Sequence, residues 1–120
     1  MLKQRLKSFG YAIQGGISFF KSETHAQIHL VATILVIGLG FYFEITKTDW
    51  LFSLLAIGLV VATEALNTAI EKLCDAVHPD KAPAIKFVKD VSAFAVLISA
   101  IVSLVIGLVI FVPHLLQIIK

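Results

Sequence analysis

From Val91 to Pro113 this chain carries no ionisable side chain, and that run constrains everything else. About 20 apolar residues wound as a helix cross the hydrocarbon core of a bilayer. In lipid only a helix or a closed barrel satisfies its own backbone hydrogen bonds. Two further runs repeat the pattern: Ile28 to Phe43, interrupted only by His29, and Trp50 to about Leu73, which is apolar in its first half. The predicted fold class is an all-α membrane protein, with spans over roughly 26–43, 50–77 and 88–112. Composition agrees, since 58% of the residues are hydrophobic and 15% charged, against about a quarter charged in an average soluble domain.

The first 21 residues form a segment of their own. Leu2, Leu6, Phe9, Ile13, Ile17 and Phe20 recur at helical spacing while Lys3, Arg5 and Lys7 fall off that stripe. An amphipathic helix lying in the membrane surface is expected there. Gly15 and Gly16 weaken it, and admit a kink, a close backbone approach or simple tolerance. No continuous apolar core precedes Ile28, so no cleavable signal is expected and the amino terminus is retained. A short outer turn is predicted over Glu44 to Asp49, and a longer break over His78 to Pro83, with proline near both ends. All 120 residues then make a single membrane domain, whose second span runs on into a cytoplasmic extension.

Positive charge sets the expected orientation. Lys3, Arg5, Lys7 and Lys21 precede the first span and Lys72, Lys81, Lys86 and Lys89 lie between the second and third. Lys47 and Lys120 alone fall on the other side. The amino terminus and the second connection are therefore expected inside and the carboxyl terminus outside. A net charge of only +2 gives no reason to expect a nucleic-acid partner, and the basic residues suit topology and anionic head groups. Cys74 is the one cysteine, so no internal disulfide forms; packing is its expected role.

Chemistry concentrates where the third apolar run turns polar. Glu64, Asn67, Thr68, Glu71 and Asp75 fall on one helical face. Two carboxylates a heptad apart with an amide between them can hold a divalent cation, pass a proton or pair with lysines. At the edge of an apolar helix an unpaired carboxylate is costly, which favours a cation or proton as partner. Glu23 lies just before the first span on the same predicted side, and Mg²⁺ takes one or two such oxygens together with water and phosphate. His25 and His29, one turn apart, would also suit zinc, but no HExxH or CxxC supports that, and contact with head groups or carbonyls is the plainer expectation. Lys86 and Lys89 can face polyphosphate, and Asp90 suits an N-cap or an anchor. No Walker loop and no GxGxxG occurs, so a phosphate site here would be of another make.

The run Glu64-Ala-Leu-Asn-Thr-Ala-Ile-Glu71-Lys-Leu-Cys-Asp75 resembles the signature of the prokaryotic diacylglycerol kinase family, the small integral-membrane lipid kinases of bacteria. Tyr11-Ala with Gly15, Glu23 followed by Ile28-His29-Leu30, and Lys89-Asp90-Val91 extend the likeness, and the last two resemble its Gram-positive branch. The resemblance implies a homotrimer with sites shared between subunits, transferring phosphoryl from ATP to a lipid alcohol with Mg²⁺. In that branch the alcohol is generally undecaprenol; diacylglycerol is the alternative. By the same resemblance Glu64 is the general base and also contacts the lipid with Asn67. Glu23 and Glu71 bind the metal. Tyr11, Glu23, Glu71, Asp80, Lys81, Ala82, Lys89 and Asp90 contact ATP, on the cytoplasmic side of the bacterial plasma membrane.

Two positions depart from the family: Phe94 stands where many relatives carry a small residue, and Gln4 where some carry arginine. Both bear on lipid preference. A reading of another class, a small oligomeric proton or cation conduit, asks for polar groups through the full depth of the membrane. The outer half of the stripe-bearing helix offers only Ser53.

Overall fold

A computed structural model describes residues 1–78 and 82–120 as four helices: α1 Leu2–Ser22, α2 Thr24–Tyr42, α3 Lys47–Val77 and α4 Pro83–Ile119. α2, α3 and α4 are each long and apolar enough to cross a membrane. The expected contacts at Asp80 and Lys81 lie outside the described residues.

α1 runs unbroken through Gly15 and Gly16 and buries no residue against the rest of the chain. Its apolar stripe, Leu2, Leu6, Phe9, Ile13 and Ile17, stays exposed. One extended residue, Glu23 (φ −104°, ψ 121°), separates it from α2. Glu23 donates its N–H to the Phe19 carbonyl at 3.0 Å and accepts from Gln27 N at 3.1 Å, so it ends one helix and starts the next.

The outer turn is tighter than the sequence suggests. Glu44 takes a left-handed conformation (φ 51°), Glu44 N bonds the Phe41 carbonyl at 3.3 Å and Ile45 N bonds the Gly40 carbonyl at 3.1 Å. That is a Schellman ending, with the apolar Ile45 buried beyond it. α3 then begins at Lys47, ahead of the expected Trp50, because Thr46 Oγ1 accepts the Asp49 N–H at 3.1 Å and caps the helix. α4 likewise starts earlier than residue 88: Pro83, expected in the loop, occupies its first turn, where the missing N–H costs nothing. It runs past residue 112 through Pro113 to Ile119. At 37 residues α4 is ~55 Å long, well beyond the ~30 Å of hydrocarbon.

α3 and α4 pack along most of their length as an antiparallel pair. On α4 the covered positions include Lys89, Ser92, Val96, Ser99, Ser103, Ile106 and Ile110, which follow one another at alternating intervals of three and four, with Ala100, Gly107 and Phe111 widening the stripe toward the outer end. On α3 the seam runs through Ser53, Ala56, Val60 and Glu64. Small side chains let the two backbones approach, as helices in lipid require. Ser103 Oγ crosses the seam to the Ala56 carbonyl at 3.0 Å. At the outer end Ile45, Ile110 and Phe111 form the core, with Val36, Leu39, Phe43, Trp50 and Ile106 against it. Here α2 meets α3 closely, because Gly40 leaves room for the Trp50 ring.

Candidate functional site

The polar stripe is the inner continuation of the α3 seam. Ser53, Ala56, Val60 and Glu64 are buried, Asn67 and Thr68 are half-buried and Glu71 and Asp75 are exposed. The stripe therefore passes from apolar packing into a solvated surface within a few turns.

Each neighbouring helix brings partners to it. From α2, His29 Nε2 lies 3.0 Å from Glu64 Oε1, with the side chains 25% and 10% exposed respectively. From α4, Ser92 Oγ donates to Asn67 Oδ1, which leaves the Asn67 amide to donate to Glu71 Oε1 at 3.4 Å. Lys89 Nζ donates to Asp75 Oδ1 at 2.6 Å. At the α1–α2 corner Glu23 Oε1 lies 3.9 Å from Lys72 Nζ.

The two α4 lysines face different ways. Lys86 bonds Asp90 one turn on, at 2.6 Å, rather than sharing a target with Lys89. Both stand ahead of the apolar run at Val91. The hydrogen bond to Asp90 holds the Lys86 amine above its ordinary range. Its ammonium group is accordingly charged at neutral pH. Asp75, given no role by its place in the stripe, ties α3 to α4.

Of the other residues singled out in the sequence, Ala82 caps α4, its carbonyl accepting from Lys86 N at 3.0 Å. Tyr11 is exposed on α1. His25 is exposed while His29, one turn later, is not. Phe94 is exposed on α4 and the Gln4 carbonyl accepts from Ser8 Oγ. Cys74 is buried. Among the described residues no three His, Cys, Asp or Glu side chains gather tightly enough to hold a metal ion unaided. Glu23 and Glu71 are hard oxygen donors with lone pairs to spare, each having one long or weak partner among the described residues. That donor set fits a magnesium ion that arrives with most of its shell filled by phosphate and water.

The contacts between helices were not foreseen from the sequence. His29–Glu64 joins residues 35 apart, and the only hint was a histidine interrupting an otherwise apolar run. Ser92 and Ser103 fall on the three-four alternation of α4, a signal that the surrounding apolar run conceals.

Between α2, α3 and α4 lies a cavity of about 540 Å³, within the size range of small-molecule sites. It is lined by His29 and Thr33 toward the stripe, by Val60 and Ser103 midway and by Leu39 and Phe111 toward the outer core. A mainly apolar channel thus leads along the helices to the histidine that contacts Glu64.

Comparison with known proteins accords with this geometry. The prokaryotic diacylglycerol kinase profile matches residues 10–111. The chain is 37% identical to the undecaprenol kinase of Bacillus subtilis over 95% of its own length and 93% of that protein's. It is 30% identical to a diacylglycerol kinase of Haemophilus influenzae, covering 92% and 94%, and 26% identical to one of Pseudomonas aeruginosa, covering 78% and 76%. Apolar spans, a carboxylate stripe ending one of them and near end-to-end likeness to these kinases agree: the chain belongs to the prokaryotic diacylglycerol kinase family of lipid kinases.

Proposed function

We propose that this protein transfers the γ-phosphoryl group of ATP, with Mg²⁺, to the hydroxyl of a membrane lipid alcohol, and that undecaprenol is that alcohol. The observation that carries the reading is Glu64, a carboxylate with a side chain only 10% exposed, set where a buried apolar seam opens into a charged surface. The higher identity to an undecaprenol kinase than to two diacylglycerol kinases favours the isoprenoid acceptor.

In this reading the lipid tail lies along the cavity between α2, α3 and α4 and presents its hydroxyl at the stripe. Asn67, oriented by Ser92, positions that hydroxyl. Glu64 takes the hydroxyl proton as the oxygen bonds to the γ-phosphorus and the bond to the β-bridging oxygen breaks, releasing ADP. Glu23 and Glu71 hold the magnesium, which neutralises charge on the phosphates. Tyr11, the 80–82 connection, Lys89 and Asp90 surround the nucleotide. Sites completed between the subunits of a homotrimer are supported by the exposure of Tyr11, Glu71 and Asp90, which leaves room for a second copy's groups. α1 lies in the cytoplasmic interface of a bacterial plasma membrane, the amino terminus inside and the carboxyl terminus outside, as the lysine distribution favours.

The test is Glu64→Gln in lipid bilayers with radiolabelled ATP. Turnover is expected to fall roughly 100- to 10,000-fold, the usual worth of a general base, while ATP affinity holds. An unaltered rate refutes the base assignment. Competition between undecaprenol and diacylglycerol for label decides the acceptor, and a preference for diacylglycerol overturns that part of the proposal.

A further inference from the structure

We propose that His29 is a positioning residue for Glu64, fixing which carboxylate oxygen faces the lipid hydroxyl. The inference rests on the reading of Glu64 as the base and goes beyond it, since it assigns the base a partner from another helix.

The geometry is specific. His29 Nε2 and Glu64 Oε1 are 3.0 Å apart, an ordinary length for a charge-assisted bond. An ionised carboxylate only accepts hydrogen bonds, so with Glu64 poised as a base the imidazole carries its hydrogen on Nε2 and donates. Donation to Oε1 sets the plane of the carboxylate and leaves Oε2 free for the substrate proton. Without that donor a glutamate side chain on α3, with three rotatable bonds, has no fixed orientation toward α2.

The imidazole is itself held. Ala26, one turn earlier on α2, is the most buried apolar residue among the described residues, at 1% exposure. Thr33 Oγ1 donates to the His29 carbonyl at 2.7 Å one turn later. The backbone carrying the ring is therefore packed on one side and bonded on the other. His29 also lines the apolar cavity, and Glu64 does not. A hydroxyl arriving along the cavity meets the ring first and the carboxylate behind it, an arrangement that delivers the acceptor to the unbonded oxygen. A histidine placed only for contact with head groups would have no reason to point inward at an acid 35 residues away.

The experiment compares His29→Ala and His29→Gln with the unaltered protein in bilayers, measuring kcat and both KM values. His29→Ala is expected to lower kcat roughly 10- to 100-fold, the scale of a misplaced reacting group, with KM for lipid and ATP within about twofold. His29→Gln, which keeps an N–H at similar reach, is expected to recover most of the loss. A kcat within about twofold of the original in His29→Ala, or a change confined to lipid KM, overturns the proposal. If the alanine variant does not fold, His29→Gln against His29→Leu reads the same quantity: a clear advantage for Gln supports it, equal rates overturn it. Glu64→Gln run alongside separates the two layers. Normal turnover there removes the base reading, whereas a dead Glu64→Gln with a normal His29→Ala removes only this inference.

Discussion

Replacing Gly40 by alanine isolates the contact that sets the distance between α2 and α3. A Cβ built at Gly40 falls 2.6, 2.8 and 3.1 Å from the Cη2, Cζ2 and Cζ3 atoms of Trp50, against about 3.5–4.0 Å for relaxed carbon contacts. The ring would have to retreat by about 1 Å, against the Ile45, Ile110 and Phe111 core it packs on and against Phe41, centroid to centroid 4.9 Å. Overpacking of this kind costs about 1–3 kcal/mol, and the better helix propensity of alanine returns at most about 1 kcal/mol. The net expectation is a loss of about 1–2 kcal/mol. Gly38 lies on the same helix with nothing within 4 Å of its built Cβ, so Gly38→Ala is the control and should be neutral or slightly stabilising. Reversible unfolding in mixed micelles, titrated with a denaturing detergent, measures both. Equal stability of the two variants would show that the Trp50 contact does not set the helix spacing, and the reasoning would be wrong.

Glu44→Gly should raise stability by about 1 kcal/mol in the same assay, since a side chain at φ 51° carries a left-handed cost that glycine escapes; no gain would contradict the strained turn. Glu71→Gln, with one ligand oxygen fewer for the cation, should shift the magnesium concentration for half-maximal rate upward by several-fold, and an unchanged magnesium dependence would remove Glu71 from the metal site. Asp75→Asn releases Lys89, so the ATP KM should rise while unfolding changes little, an ion pair whose carboxylate is 62% exposed being screened by water. A KM equal to that of the parent would confine Asp75 to a bystander's part.

What could be read in advance followed physical periodicity. Apolar length announced three helices fit to span a membrane, and the spacing of Glu64, Asn67, Glu71 and Asp75 placed them on one face of α3. The seam of Ser92, Ser99 and Ser103 obeys the same arithmetic but hides inside an apolar run, where small and large side chains alike read as membrane-spanning. Thr46 and Asp49 have the spacing of a helix cap, a signal that the expected turn over Glu44 to Asp49 left unused. Contacts between helices were another matter. His29–Glu64, Lys89–Asp75 and Ser103–Ala56 depend on the tilt and axial offset of packed rods, and neither quantity is encoded in the spacing along one rod.

The corner at Glu23 leaves no slack between α1 and α2, since this lone extended residue serves both helices. Adding or removing one extended residue there would shift the start of α2 by roughly 3.3 Å and re-aim it relative to α1. Either the amphipathic face of α1 would roll out of register with the bilayer surface, or the inward ring of α2 would swing away from its acid. Changes in chain length are thus expected to be rejected at the first bend of this molecule.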